Sequence, residues 1–565
     1  MNNSSLKIAI AQLNFIVGDL EGNFKKITDN YHKACEQKAD LILFSELSLT
    51  GYPPEDLLLK GYFIKETEEY LKKLCVLTKA ENKQQKPAML VGAPASFTTK
   101  EGKKLLYNSA FLMKDGQIED IINKSILPNY GVFDEKRYFT PAIHLSDVKL
   151  NNFCLGILIC EDIWDQKNAF LLACKEVDAI LAINASPFTK HKIQERLNIS
   201  KNFIKDIKQP LIYVNQIGTQ DSIVFEGSSF ALKGNGDPVL FMKSFAEDFA
   251  LTELVKNNKQ VTINNLDDNH KPYHNLSSEA QIYQAVVLSI RDYIHKNGFD
   301  TVMLGLSGGI DSALVAAMAI DALGSDKVKT FALPSRYNSK QSMDDALKLS
   351  KNLDVKLEVI PIETAFNSIC DTLSQQFTNT KPDITEENIQ SRIRGLLLMA
   401  ISNKFGHLLL STGNKSEMAV GYATIYGDMC GAYNPLKDIY KTEVFNLAKW
   451  RNQNIPEISV FKKSDIIPEN IITKEPSAEL RENQKDSDSL PDYQTLDQIL
   501  TALIESQKSV TEIINMGFNE KTVKKIANLF YKSEYKRRQA VIGAKISDMS
   551  FDKDRRYPIT NRFTR

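Results

Sequence analysis

The sequence predicts an α/β protein of two domains in series, on three observations. At 565 residues the chain is too long for one compact core. Both halves alternate short apolar runs with polar stretches at helical spacing, the pattern of layered α/β architecture. Between the halves, Lys256 to His274 turns polar, with Asn-Asn, Asp-Asp and His-Lys-Pro groupings, and reads as a linker. The expected domains are therefore residues 1–258 and 277–565, joined by 259–276.

In the first half, Leu6–Ala11, Leu41–Phe44, Ala88–Val91, Leu155–Ile159, Ala179–Ala182 and Leu211–Val214 read as buried strands. Helical spacing marks 22–38, 61–80 and 191–207 between them. The second half opens with a helix over 279–296 that stops at Asn297-Gly298, a helix-ending pair. Strand 300–306, helix 311–323, strand 327–333, helix 339–353 and strand 355–361 follow. Strands separated by helices predict parallel pairing with right-handed crossovers, a Rossmann-like sheet. Residues 461–492 are polar and interrupt the helical pattern; composition leaves open a disordered insertion or an active-site lid.

Lys plus Arg and Asp plus Glu both number 70, and a neutral chain argues against binding to nucleic acid or a membrane surface, which favour basic stripes. No apolar run reaches the length of a membrane span, and the N-terminal stretch lacks the pattern of a signal peptide. The seven Cys show no CxxC or Cys/His spacing, so they predict reduced thiols in the cytosol rather than disulfides or structural zinc.

Glu46 follows Leu41–Ser45, Lys124 lies in Asn123–Tyr130, and Cys160 ends Leu155–Ile159 and precedes Glu161-Asp162-Ile163-Trp164. Singly, a Cys after an apolar strand is most often an inert core thiol, and a strand-end Glu or Lys merely solvated. The set in this order is different: Phe44-Ser45-Glu46-Leu47, Lys124 before Leu127-Pro128-Asn129-Tyr130, and Ile159-Cys160-Glu161-Asp162 resemble the three signatures of the nitrilase superfamily over residues 5–250. The resemblance implies an αββα sandwich with Cys160 as nucleophile, Glu46 as proton shuttle and Lys124 at the oxyanion. Glu135, in Phe133–Phe139, would hold the lysine. These residue types suit amide hydrolysis, which needs a strong nucleophile, a proton carrier and help for the tetrahedral oxyanion. Cys160 is expected as a thiolate, lowered in pKa by nearby positive charge. Tyr130, Ser186 in Asn184–Phe188, and Arg196 resemble the segments that place glutamine. Cys-His catalysis is the rival reading for Cys160.

In the second half, Ser307-Gly308-Gly309-Ile310-Asp311-Ser312 sits between a predicted strand and helix. The glycines allow close backbone approach, and the helix start offers free N–H groups to an anion. No Lys-Ser/Thr pair follows, so this is not a Walker loop. It resembles the pyrophosphate loop of ATP pyrophosphatases, which split ATP into AMP and pyrophosphate. Glu387–Arg394, Ser411–Glu417, Gly421–Asp428, Lys437–Thr442 and Pro476–Leu480 with Gln484-Lys485-Asp486 continue an ordered series resembling the NAD synthetase family over most of 280–565.

That resemblance implies ATP as substrate, held by Ser307, Gly308, Gly309, Asp311, Ser312 and Thr412, with Mg²⁺ on Asp311 and Glu417. It places Arg392, Asp428 and Lys441 toward deamido-NAD, and Ser477, Lys485 and Asp486 in a lid. Lys536-Arg537-Arg538 and Arg555-Arg556 match the C-terminal pattern and read as phosphate contacts; Ala540-Val541-Ile542-Gly543 departs from the usual Ala-Pro-Pro-Gly. The implied activity couples glutamine hydrolysis to ATP-dependent amidation of deamido-NAD. It would run on small molecules in the cytoplasm, without nucleic acid or membrane, in a homo-oligomer. A different glutamine-fed ATP pyrophosphatase, or an amidase regulated by a non-catalytic nucleotide sensor, are the alternatives.

Overall fold

The computed structural model describes residues 4–80, 85–258, 260–270, 276–482, 484, 486–488 and 490–563. The chain divides into two compact units, Met1–Leu276 and Ser277–Arg565.

In the first unit, strict alternation within strands builds two layers. Leu6, Ile8 and Ile10 of strand Ser4–Gln12 point one way, into a core shared with Leu155, Ile157, Ile159, Leu181 and Val214. Ala9 and Ala11 point the other way, toward Ile27, Tyr31, Leu71 and Leu74 of helices Leu20–Glu36 and Gly61–Leu77. Among the described residues, a seven-stranded sheet runs in the order Gln260–Asn265, Asp248–Asn257, Ser4–Gln12, Leu41–Leu43, Ala88–Thr98, Lys104–Lys114, Gln117–Asn123. It faces a six-stranded sheet whose centre is Leu211–Asn215, Ala179–Asn184 and Phe153–Ile159, paired in parallel. Helices Gln166–Cys174 and Lys192–Ile207 cover the outer face of this second sheet through Leu172, Leu197, Phe203 and Ile204. The result is the αββα sandwich.

One expectation is corrected here. Gln260–Asn265, inside the predicted linker, pairs antiparallel with Asp248–Asn257. Its alternation buries only Val261 and Ile263, as befits an edge strand whose other face meets water.

Among the described residues of the second unit, four parallel strands stand in the order Leu357–Val359, Val328–Ala332, Val302–Gly305, Leu408–Leu409. The first strand in sequence thus lies between the second and the fourth. Chain direction across the sheet reverses there, and the loops leaving the two strand ends, Leu306–Gly309 and Ser411–Asn414, flank the crevice where such sheets bind ligands. Helix Ile310–Leu323 is buried almost all round, which accounts for its uniformly apolar sequence. Helices Tyr493–Ile504 and Glu520–Lys532 close a separate core around Leu496, Leu500, Ile526 and Phe530. Ile542 O still accepts from Asn434 N–H at 2.8 Å, so the departure at Ala540–Gly543 keeps a fixed backbone.

Candidate active sites

The first site forms where three strands end. Glu46 lies just beyond Leu41–Leu43, Lys124 directly after Gln117–Asn123, and Cys160 directly after Phe153–Ile159. All three are buried, as is Glu135 on a short 3₁₀ turn. Lys124 Nζ donates to Glu46 Oε1 at 2.7 Å and to Glu135 Oε1 at 2.8 Å. Asn108 Nδ2 (2.7 Å) and the Ala185 N–H (2.9 Å) fix the two oxygens of Glu46, and Tyr52 OH (2.8 Å) supports Glu135. Among the described residues, Glu135 Oε2 has no hydrogen-bond partner.

Burial works against the charge on Lys124, but Glu135 and Glu46 outweigh it and hold the ammonium well above the ordinary lysine range. Burial pushes the Glu135 carboxyl up to about 7 against the pull of Lys124. The Cys160 thiol departs from expectation. Burial raises it well above its usual range, Glu46 adds to the rise, and Lys124 does not compensate, because its charge is already shared by two carboxylates.

Cys160 adopts φ 49°, a left-handed conformation costly for a residue with a Cβ. Asp162, which the motif contained but no role was assigned to, braces it. Its Oδ2 accepts from the Ile159 N–H at 3.1 Å, and its Oδ1 from Ser125 N–H (3.0 Å), Ser125 Oγ (2.7 Å) and Ile126 N–H (2.8 Å). One carboxylate therefore ties the segment bearing Lys124 to the turn bearing Cys160. Tyr52 and Asn108 also escaped the sequence reading, since nothing in their local sequence marks a buried bond to a distant Glu.

Tyr130 stands at the rim, 57% exposed, and its OH donates to Glu161 Oε1 at 2.7 Å. Arg196 does not open to a ligand as expected. It lies buried beside Ser186, donating to Ser186 Oγ (2.9 Å), Ser186 O (2.8 Å) and Pro187 O (2.8 Å) and pairing with Glu226. Burial demands such pairing, and it makes Arg196 the support of the Ser186 turn.

The second site is a cavity of about 530 Å³ at the reversal point of the parallel sheet. Ser307 through Ser312, Thr412, Glu417, Asp428, Lys441, Ser477 and Asp486 all line it. Gly308 needs its glycine: φ is +79°, and a Cβ would lie 2.2 Å from Ser342 O. Ser312 Oγ donates to Gly309 O at 3.1 Å, and the Gly309 N–H donates to Ser307 Oγ at 3.2 Å, shaping the loop at the helix start.

Lys441 Nζ lies 2.5 Å from Asp311 Oδ2 and 3.2 Å from Glu417 Oε1, while Asn414 Nδ2 holds Asp311 Oδ1 at 3.0 Å. Burial pushes Glu417 up to about 7; Lys441 opposes this, and Asp311 and Asp486 add to it. Asp311 and Glu417 converge on the Lys441 ammonium, and as a pair they would supply the one or two carboxylates that Mg²⁺ takes alongside phosphate oxygens and water.

Two expectations change, for Arg392 and for the basic tail. Arg392 is exposed, donates to Ile425 O at 3.3 Å, and is not among the cavity residues; Arg394, two residues on, lines it instead. Asp428 lines the cavity with Oδ1 committed to the Thr424 N–H (2.7 Å) and Ser391 Oγ (3.1 Å). Much of the basic tail is paired internally. Arg537 and Arg555 pair with Glu534, and Lys536, though it lines the cavity, donates to Gly421 O and Ala423 O. Lys485 lies outside the described residues.

A sandwich carrying a Cys-Glu-Lys centre, followed by a parallel-sheet unit carrying a pyrophosphate loop, defines a glutamine amidase joined to an ATP-dependent amide-forming ligase. The comparisons agree with that class: the carbon-nitrogen hydrolase family matches residues 7–259, and the NAD synthase family residues 282–540. The chain is 43% identical to the glutamine-dependent NAD(+) synthetase of Acinetobacter baylyi over 557 residues, covering 99% of this chain and 98% of the relative. It is 41% identical to that of Thermotoga maritima over 586 residues, covering 99% of each. The structure of the Acinetobacter baumannii enzyme in complex with adenosine diphosphate is 40% identical, covers 99% of both chains and superposes with a TM-score of 0.76. That from Cytophaga hutchinsonii, at 20% identity and TM-score 0.79, covers 99% of this chain and 98% of its own and shares the fold. The chain belongs to the glutamine-dependent NAD(+) synthetase family. Among the described residues no helix is long and apolar enough to cross a membrane.

Proposed function

We propose that this chain makes NAD, ATP providing the activation and glutamine the nitrogen, with each reaction assigned to the residues above. At the first site the Cys160 sulfur attacks the glutamine side-chain carbonyl. Glu46, fixed by Asn108 and Ala185, takes the thiol proton as the S–C bond forms and delivers it to departing ammonia. Burial raises the thiol, so Glu46 serves as the acceptor of its proton when the sulfur attacks. Lys124 stabilises the oxyanion. Water then cleaves the thioester to glutamate. Glu161 with Tyr130 offers acceptors for the α-ammonium of glutamine at the rim.

At the second site, the loop Ser307–Ser312 and Thr412 hold ATP. Mg²⁺, carried by Asp311 and Glu417, would neutralise the phosphates and the leaving pyrophosphate. The carboxylate of deamido-NAD attacks the α-phosphorus and pyrophosphate departs. Ammonia from the first reaction then displaces AMP from the acyl carbon, leaving the amide of NAD. Lys441 balances charge at the phosphates. Ser477 and Asp486 help close the cavity over the adenylate, and Arg394 replaces Arg392 as the cation facing the ligand. We place the protein in the cytoplasm, as a homo-oligomer.

The observation that carries this reading is one chain holding both a buried Glu46–Lys124–Glu135 centre around Cys160 and the Asp311–Lys441–Glu417 cluster in a nucleotide-sized cavity. Cys160→Ala tests the division of labour: glutamine-driven NAD synthesis should vanish while synthesis from added ammonium persists. Full glutamine use by the variant would defeat the amidase assignment.

A further inference from the structure

Glu479 is a charge that the reaction above leaves without a task, and its surroundings are specific. Its Oε1 accepts from Ser342 Oγ (2.6 Å), Lys474 Nζ (2.9 Å) and Ser339 Oγ (3.0 Å); its Oε2 accepts from Asn338 Nδ2 (3.0 Å). Three of these donors lie on the turn that starts helix Lys340–Asn352, where Ser339 caps the helix by accepting from the Ser342 N–H at 3.1 Å.

The orientation of Asn338 is fixed. Its Oδ1 accepts from the Ser335 N–H (2.7 Å) and from Arg394 Nη2 (3.2 Å), which leaves only Nδ2 to face Glu479. Arg394 is itself anchored on Leu333 O at 2.9 Å. Glu479 also holds φ 48°, an unfavourable conformation that persists only where surrounding contacts enforce it. Burial raises its carboxyl, but Ser342, Asn338 and Lys474 outweigh that and hold it below the usual carboxylate range. The segment from Lys474 to Leu480 lines the nucleotide cavity, and so do Asn338, Ser339, Ser342 and Gly308. Ser342 O is also the atom that a Gly308 Cβ would strike, so the partners of Glu479 abut the pyrophosphate loop.

We propose that Glu479 is a positioning residue: it latches segment 474–480 to the 338–342 turn over the nucleotide cavity and so shields the acyl-adenylate from water until ammonia arrives. This rests on the reading of the second site given above. A carboxylate suits the task because every group around it is a donor. Glutamine of the same size would turn an NH₂ either on Asn338 Nδ2 or on the serines and Lys474. With the latch released, water attacks the acyl carbon in place of ammonia. The products are then deamido-NAD and AMP, so pyrophosphate has been released with no NAD formed.

The test uses the full chain with ATP, Mg²⁺, deamido-NAD and ammonium, and counts pyrophosphate released per NAD formed alongside the KM for ATP. Wild type should release about one pyrophosphate per NAD. Glu479→Gln should raise that ratio several-fold and the KM for ATP by ~10-fold, the scale set by losing charge-assisted bonds. Ser342→Ala, which removes one donor and keeps the carboxylate, should raise the ratio in the same direction. A variant that merely loses folded protein lowers the rate at an unchanged ratio, and this result in both variants would overturn the latch. Wild type that releases pyrophosphate without forming NAD would overturn the reading of the site itself, and the latch with it.

Discussion

Glu135→Gln isolates one charge in the amidase centre. The carboxylate accepts from Lys124 Nζ and Tyr52 OH, both at 2.8 Å, on a single buried oxygen. An amide of the same shape can still accept there, but without charge. Hydrogen bonds to charged groups contribute about 1.5–3 kcal/mol against about 0.5–1.5 for neutral ones, so the substitution should cost roughly 1–2 kcal/mol. Felt fully in the transition state, that is ~5–30-fold in kcat/KM for glutamate release from glutamine. The pH profile carries a second signature. Burial pushes Glu135 up to about 7, and its ionised form is the one that grips Lys124. Wild-type glutaminase activity should therefore fall as pH drops through about 7. In the glutamine variant, the part of that fall due to Glu135 should disappear. NAD synthesis from ammonium serves as the internal control and should not change. A variant with wild-type kcat/KM, or with the acid inflection intact, would refute the reasoning.

Three further outcomes follow from the geometry. Asp162→Ala strands the N–H groups of Ser125, Ile126 and Ile159, at about 1–3 kcal/mol for each orphaned donor. Calorimetry should show a loss of roughly 3–5 kcal/mol in the first unit, together with loss of glutaminase activity. Gly308→Ala puts a Cβ 2.2 Å from Ser342 O at φ +79°, so the loop must shift; ammonium-driven NAD formation should drop by ~100-fold or more with glutaminase intact. Asp311→Ala should abolish NAD formation from both nitrogen sources and leave glutamate release measurable.

Much of this was legible in the sequence because the chemistry sits where strands end. Glu46 and Cys160 each follow an apolar run, while Lys124 is marked only by the motif around it, at the end of a strand, Gln117–Asn123, that is polar in sequence. The helix read at 311–323 is observed at Ile310–Leu323, and the one read at 339–353 at Lys340–Asn352, since the glycine pair before the first and the serine cap and periodicity of the second are local signals. What stayed hidden depends on contacts far along the chain. Asp162 looks like any acidic residue after the nucleophile until Ser125 and Ile126 are seen bonding to it. The resemblance implied a cation lowering the Cys160 pKa and Glu135 holding Lys124, but not that Glu46 also shares the charge of Lys124. Arg392 and Arg394 are equivalent in sequence, and only the packing of helix Ile384–Phe405 decides which one faces the cavity. The strand Gln260–Asn265 was read as linker because its burial rests on two residues.

The most direct test of the account is NAD formation by the purified protein from deamido-NAD, ATP and Mg²⁺, with glutamine or ammonium as nitrogen source. The account predicts NAD from either source, with one AMP and one pyrophosphate for each NAD and glutamate appearing only with glutamine. Glutamate release from glutamine with no NAD from either source would contradict it, leaving an amidase whose second unit activates some other acceptor.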